Sequence, residues 1–166
     1  MNVVTHACAP VVVALAVDAI RLYSDRNRLF STKDLIAIGV AGVLPDLLNP
    51  PLFSRPRYSS WTHTLWFVLA VFPVLMAICR KWFRPRWILL TSFLWLATVA
   101  HIATDTISRG TRPLYPYGPV IDYRLIRKDI HNWIRFDIAF IAATVILVFW
   151  TKWLERRQVS SRSPVR

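Results

Sequence analysis

The chain predicts an all-α, polytopic membrane protein with about five transmembrane helices and a metal site near one membrane face. Three observations carry that expectation. The 166 residues are 55% hydrophobic yet hold a formal net charge of +12. A soluble domain this apolar is ordinarily less basic, and a soluble nucleic-acid binder this basic is ordinarily less apolar. The apolar residues fall in five runs of about 14 to 21 residues, near the roughly 20 that cross a bilayer. Finally, His and Asp recur at the ends of those runs.

The first run, Ala7 to Leu22, is short and contains Asp18; the second, Leu35 to Leu48, is shorter still. Trp61 to Ile78, Trp87 to Ile107 and Trp133 to Trp153 are longer. Trp61, Trp82, Trp87, Trp133 and Trp153 stand near their ends, where amphipathic rings settle at the membrane interface. Polar connectors separate the runs: YSDRNRLFSTKD, NPPLFSRPRYSS, CRKWFRPR and SRGTRPLYPYGPVIDYRLIRKDIHN. Residues 1–153 are thus expected to form one helical membrane domain, and the basic, Ser-rich stretch 154–166 a disordered tail. No internal repeat is visible, and the first residues lack the positive n-region of a cleavable signal peptide. Cys8 and Cys79 are too few for a disulfide framework and fall on opposite membrane faces in this topology.

Charge orients the spans. With five of them, the loops after spans one and three and the tail share a face and hold 13 of the 21 Lys and Arg. Cytoplasmic segments collect these residues, so the carboxy terminus is expected inside and the amino terminus outside. The basic residues track the membrane boundaries, which argues against a nucleic-acid partner.

On that topology His6 opens span one, Asp46 closes span two, His63 opens span three, and His101 with Asp105 closes span four. All five fall on the outer face. His and carboxylate are ordinary ligands of zinc and its first-row neighbours. Residues at i and i+4 project from one side of a helix, so His101 and Asp105 can reach one ion together. Ionisable groups near lipid are costly unless they pair or coordinate. Taken singly, each has a plainer reading: an interfacial polar residue (His6), a helix end before prolines (Asp46), a first-turn residue capped by Ser60 or Thr62 (His63), a helix-stabilising pair (His101 and Asp105). Their convergence favours a divalent metal, with zinc expected and manganese the alternative. Asp18 and Asp137 read as structural, pairing with Arg21 and Arg135, and His131 as a solvated loop residue.

The segments TH near the start, GVLPDLLNP, WTHTL, and AHIATDTISRG followed by PLYP resemble the YdjM family of LexA-regulated inner-membrane proteins, regarded as metal-dependent hydrolases. That family's pattern runs approximately GH, LLPDIDHP, HRGxTHS and SHxxxDxxTxxGVPLLWP. The resemblance covers about residues 5 to 116 and implies that His6, Asp46, His63, His101 and Asp105 take the metal-ligand positions. This chain departs from the pattern at Leu48 and Asn49, where the family has a second Asp and a His, and at Tyr58, where it has a His. The five that remain suit one ion, or two with shared carboxylates. The family is distantly similar to zinc-dependent phospholipase C enzymes, which implies a phosphoester hydrolase.

The expected activity is therefore hydrolysis of a lipid or lipid-linked phosphoester by metal-activated water, in a bacterial inner membrane, with Asp46 or Asp105 as general base. Arg109 and Arg112, with Arg55 and Arg57 on the same face, are candidates to hold the phosphate; contact with lipid headgroups is the alternative. Two other classes stay open: a metal-binding scaffold or assembly factor without turnover, and a small ion-binding transport protein.

Overall fold

The computed structural model describes residues 3–49, 59–108, 110–123 and 130–162. They form five α-helices: α1 (Val3–Tyr23), α2 (Thr32–Leu48), α3 (Leu65–Trp82), α4 (Trp87–Ser108) and α5 (Ile130–Arg162). A 3-10 turn, Trp61–His63, precedes α3. No strand occurs among the described residues; one isolated bridge joins Thr111 to Ile121.

Four helices, α1, α3, α4 and α5, are long and apolar enough to cross a membrane. The expected second span, α2, is the shortest of the five helices. Helix α2 has 17 residues, about 25 Å at 1.5 Å per residue, against a hydrocarbon core of roughly 30 Å. It is held inside the bundle, packed on α1 and α4, while α3 packs on α4 and α5 on α1. The core is built from small and branched residues such as Ala14, Ile38, Ala41, Val71, Leu94 and Ala97.

Local chemistry sets the helix ends. Ser31 caps α2 with Asp34 in a reciprocal box: Asp34 N donates to Ser31 Oγ (3.3 Å) and Ser31 N to Asp34 Oδ2 (2.7 Å). Thr64, not Ser60 or Thr62, caps α3, accepting from Phe67 N at 3.2 Å. Two residues past the end of α4, Gly110 has a φ of +80° that suits glycine, and its N–H donates to the Asp105 carbonyl (3.0 Å).

Pro45 shapes the middle of the bundle. Proline has no N–H for the carbonyl four residues earlier, and the Thr98 hydroxyl of α4 lies 3.2 Å from that carbonyl, Ala41 O. A hydroxyl from a neighbouring helix is what makes an intramembrane proline tolerable. At Gly42 the helices α1 and α2 touch backbone to backbone: a Cβ there would lie 2.3 Å from His6 O and 2.9 Å from Pro10 Cγ.

Four further expectations change. Asp18, fully buried, pairs with Arg28 rather than Arg21 (Nε to Oδ2, 3.2 Å) and accepts from Leu29 N (2.6 Å) and Phe30 N (3.2 Å). It organises the α1–α2 connector. Asp137 accepts from Thr5 N (3.1 Å) and Thr5 Oγ1, so it closes the first turn of α1 from α5. The stretch expected as a disordered tail is helical through Arg162, and His131 stands exposed in the first turn of α5 rather than in a loop. Residues 163–166 lie outside the described residues.

Candidate metal centre

The antiparallel packing gathers the start of α1, the end of α2, the turn before α3 and the end of α4 at one end of the bundle. Asp46, His63, His101 and Asp105 meet there, each offering one ligand atom, and these four atoms lie within 4.8 Å of one another. His63 and Asp105 are fully buried, His101 is 2% exposed and Asp46 7%. No acidic surface patch explains such a group: two carboxylates in a protein interior demand compensating positive charge.

The individual distances test whether an ion fits. His63 Nε2 lies 3.2 Å from Asp46 Oδ1 and 3.4 Å from Asp105 Oδ2; His101 Nε2 lies 3.6 Å and 3.5 Å from the same two oxygens. A tetrahedron with arms of about 2.0–2.1 Å, the length of zinc bonds to nitrogen and oxygen, has edges of about 3.3–3.4 Å. The four measured edges bracket that value.

Tautomers give a second, independent test. His101 Nδ1 lies 2.7 Å from Gly42 O, and a carbonyl only accepts, so Nδ1 carries the proton. In the neutral ring Nε2 is then a lone pair directed at two carboxylate oxygens. Both His63 Nε2 and His101 Nε2 are buried and make no hydrogen bond. Imidazole nitrogens and carboxylate oxygens this close need a proton or a metal cation between them, and the donor set fits a divalent ion. His63 is steadied through Nδ1 by Thr62 Oγ1 (3.1 Å) and Ser60 Oγ (3.4 Å), the outer support usual for ligating histidines.

His6 joins the cluster from outside the four-atom group. Its Nε2 is 3.2 Å from Asp105 Oδ1, while Asp105 Oδ2 faces His63 and His101. Its ring stacks on His101 with centroids 3.8 Å apart, and its Nδ1 meets Thr104 Oγ1 at 3.3 Å. Asp105 is thereby held at both oxygens.

The structure thus brings together all five of the His and Asp residues expected at the site. It treats the arginines differently. Arg112 belongs to a closed loop: Nε donates to Gly118 O (2.7 Å) and the guanidinium lies over the Tyr115 ring. That loop is pinned by the Thr111–Ile121 bridge and by Leu65 N donating to Pro113 O (2.8 Å). Arg109, Arg55, Arg57 and Tyr58 lie outside the described residues. Of the positions where the family pattern has further ligands, Leu48 is exposed and Asn49 is the C-cap of α2.

Sequence reasoning missed the supports. Gly42, through its carbonyl and its lack of a side chain, sets both the tautomer of His101 and the depth of α2 against His6. Thr98 and Thr104 carry hydroxyls that serve neighbouring helices. Pro45 was the available signal, since it frees a carbonyl four residues back.

Fold and centre together define a polytopic helical membrane protein with a buried His and Asp cluster able to hold a metal ion. The chain belongs to the YdjM inner membrane protein family, whose model matches residues 1–163, essentially its whole length. No curated protein and no solved structure matches it.

Proposed function

We propose that this protein is a membrane-embedded, metal-dependent hydrolase that cleaves a phosphoester of a lipid or lipid-linked substrate. One observation carries the reading: two buried imidazole Nε2 atoms and two carboxylate oxygens converge at ligand spacing, with no hydrogen bond to the nitrogens. Zinc is the expected ion, because a two-nitrogen, two-oxygen tetrahedral set suits it better than manganese, which favours more oxygen ligands. When bound, such an ion would act as a Lewis acid, and with a water taken up as a fifth ligand beside the four side chains it would lower that water's pKa toward about 7.

The chain's own residues do the rest. His63 and His101 bind, oriented through their Nδ1 atoms, while Asp46 and Asp105 balance the ion's charge. Asp105 Oδ1, turned toward His6, is the oxygen placed to accept a proton, and His6 the ring able to take it onward. Asp46 is the second carboxylate available as base. Arg112, through the N–H groups that its Nε bond to Gly118 O leaves, and Arg109, three residues before it in sequence, supply guanidinium donors for a phosphate. Position supports a lipid substrate, since the cluster lies toward one end of the spanning helices and the headgroup layer is met at the ends of spans. The Lys and Arg asymmetry supports an outward-facing site with the carboxy terminus in the cytoplasm.

The test is elemental analysis of detergent-purified protein beside His101→Ala and Asp105→Asn, followed by a screen of phospholipids for phosphate or headgroup release. Near-stoichiometric zinc that both variants lose, with turnover that tracks it, is expected. A wild type that holds no metal after chelator-free purification and reloading overturns the proposal. Bound metal without turnover on any phospholipid replaces it with the scaffold reading.

A further inference from the structure

The opposite end of the bundle carries a second feature that the metal centre does not use. A cavity of about 170 Å³ opens between the first turn of α2 and the α3–α4 connector. Asp34, which lines it, precedes Asp46 by 12 residues on the same helix, about 18 Å along the axis. The cavity is therefore remote from the cluster.

Its lining is amphipathic. Phe30, Phe83 and Leu90 supply apolar floor, and Lys33, Arg84 and Arg86 supply positive charge. Asp34 is the one carboxylate in the lining, and it is already matched: Arg86 Nη2 lies 3.2 Å from Asp34 Oδ2, and Arg86 Nη1 donates to Leu29 O. Lys33 and Arg84 are left. Arg84 Nε donates to Arg80 O (3.0 Å), and among the described residues neither side chain meets a carboxylate. Two uncompensated cations thus overhang an apolar floor.

Depth identifies the occupant. The cavity lies where the α3 span ends at Trp82 and the α4 span begins at Trp87, and Trp82, 69% exposed, forms part of its wall. Exposed tryptophans at span ends mark the headgroup layer. Basic pockets between helices at that level hold anionic lipid headgroups. A small water-borne anion gains nothing from the apolar floor, whereas a phospholipid places its glycerol and upper chain there. We propose that this cavity is a binding site for the phosphate of an anionic phospholipid headgroup, held by Lys33 and Arg84. It is independent of the hydrolase reading.

Native mass spectrometry of the full chain in detergent, titrated with phosphatidylglycerol or phosphatidylcholine, tests it. The wild type should retain one phosphatidylglycerol with about tenfold preference over phosphatidylcholine, or about 1.4 kcal/mol. Lys33→Gln with Arg84→Gln should abolish that preference. Arg26→Gln with Arg156→Gln, which removes the same charge elsewhere, should keep it. All four side chains are exposed, and circular dichroism verifies that each variant keeps its helices. Absence of preference in the wild type, or equal loss in both double variants, overturns the site. Phosphorus NMR with inorganic phosphate separates the sources. Phosphate binding that depends on Lys33 and Arg84, without retention of phosphatidylglycerol, assigns the cavity to a small anion and likewise overturns the lipid proposal.

Discussion

Replacing Gly42 by Ala should damage the metal centre although Gly42 offers it no side chain. A Cβ at this position would stand 2.3 Å from His6 O and 2.9 Å from Pro10 Cγ. Even a favourable carbon–oxygen contact needs about 3.3 Å, so α1 and α2 must part by about 1 Å at this level. Overpacking of that kind costs about 1–3 kcal/mol, offset by up to about 1 kcal/mol of helix propensity. The centre suffers more. Asp46 lies one turn after Gly42, and the Gly42 carbonyl holds His101 Nδ1 at 2.7 Å. Moving α2 disturbs both a ligand oxygen and the bond that orients a ligand ring, a loss typically worth about 10–100-fold in metal affinity. Gly39→Ala is the control, because its Cβ would meet Val11 Cγ2 at 3.4 Å and Ala7 O at 3.5 Å, ordinary contacts. Metal affinity by competition with a chromophoric chelator, read beside thermal unfolding in detergent, gives the result. Gly42→Ala binding metal like the wild type, or Gly39→Ala losing as much as Gly42→Ala, would refute the reasoning.

Thr98→Val removes the hydroxyl shared between Leu94 O (3.1 Å) and the Ala41 carbonyl that Pro45 leaves open (3.2 Å), and should cost about 1–3 kcal/mol; adding Pro45→Ala restores an N–H to the Ala41 carbonyl, so thermal unfolding of the double variant should show recovery. Asp18→Leu leaves Arg28 and two backbone N–H groups without their buried acceptor and should cost about 3–5 kcal/mol, while metal content per folded protein stays at the wild-type level because Asp18 is at the other end of α1. A strong chelator should lower the unfolding temperature of the wild type, by the equivalent of about 4 kcal/mol if the ion stood at a thousand times its Kd. The same chelator should leave the melting curve of His63→Ala where it was.

The class of protein and the gathering of five His and Asp residues at one end of the bundle were legible in the chain because both rest on local rules. Helical membrane spans declare themselves by run length and apolarity, and five alternating helices put His6, Asp46, His63, His101 and Asp105 at one end whatever the details of packing. The i and i+4 spacing of His101 and Asp105 is likewise a property of one helix. Tertiary structure alone decided matters that depend on how closely two helices approach. It turned one oxygen of Asp105 to His6 and the other to His63 and His101, gave Asp18 to Arg28 and sent Asp137 to the first turn of α1. It also made Gly42 and Thr98 part of the centre's support. The physical reason is common to all of these: hydropathy and spacing describe a helix by itself, whereas the partner of a buried polar atom is whichever neighbouring backbone or side chain the packing brings within about 3 Å.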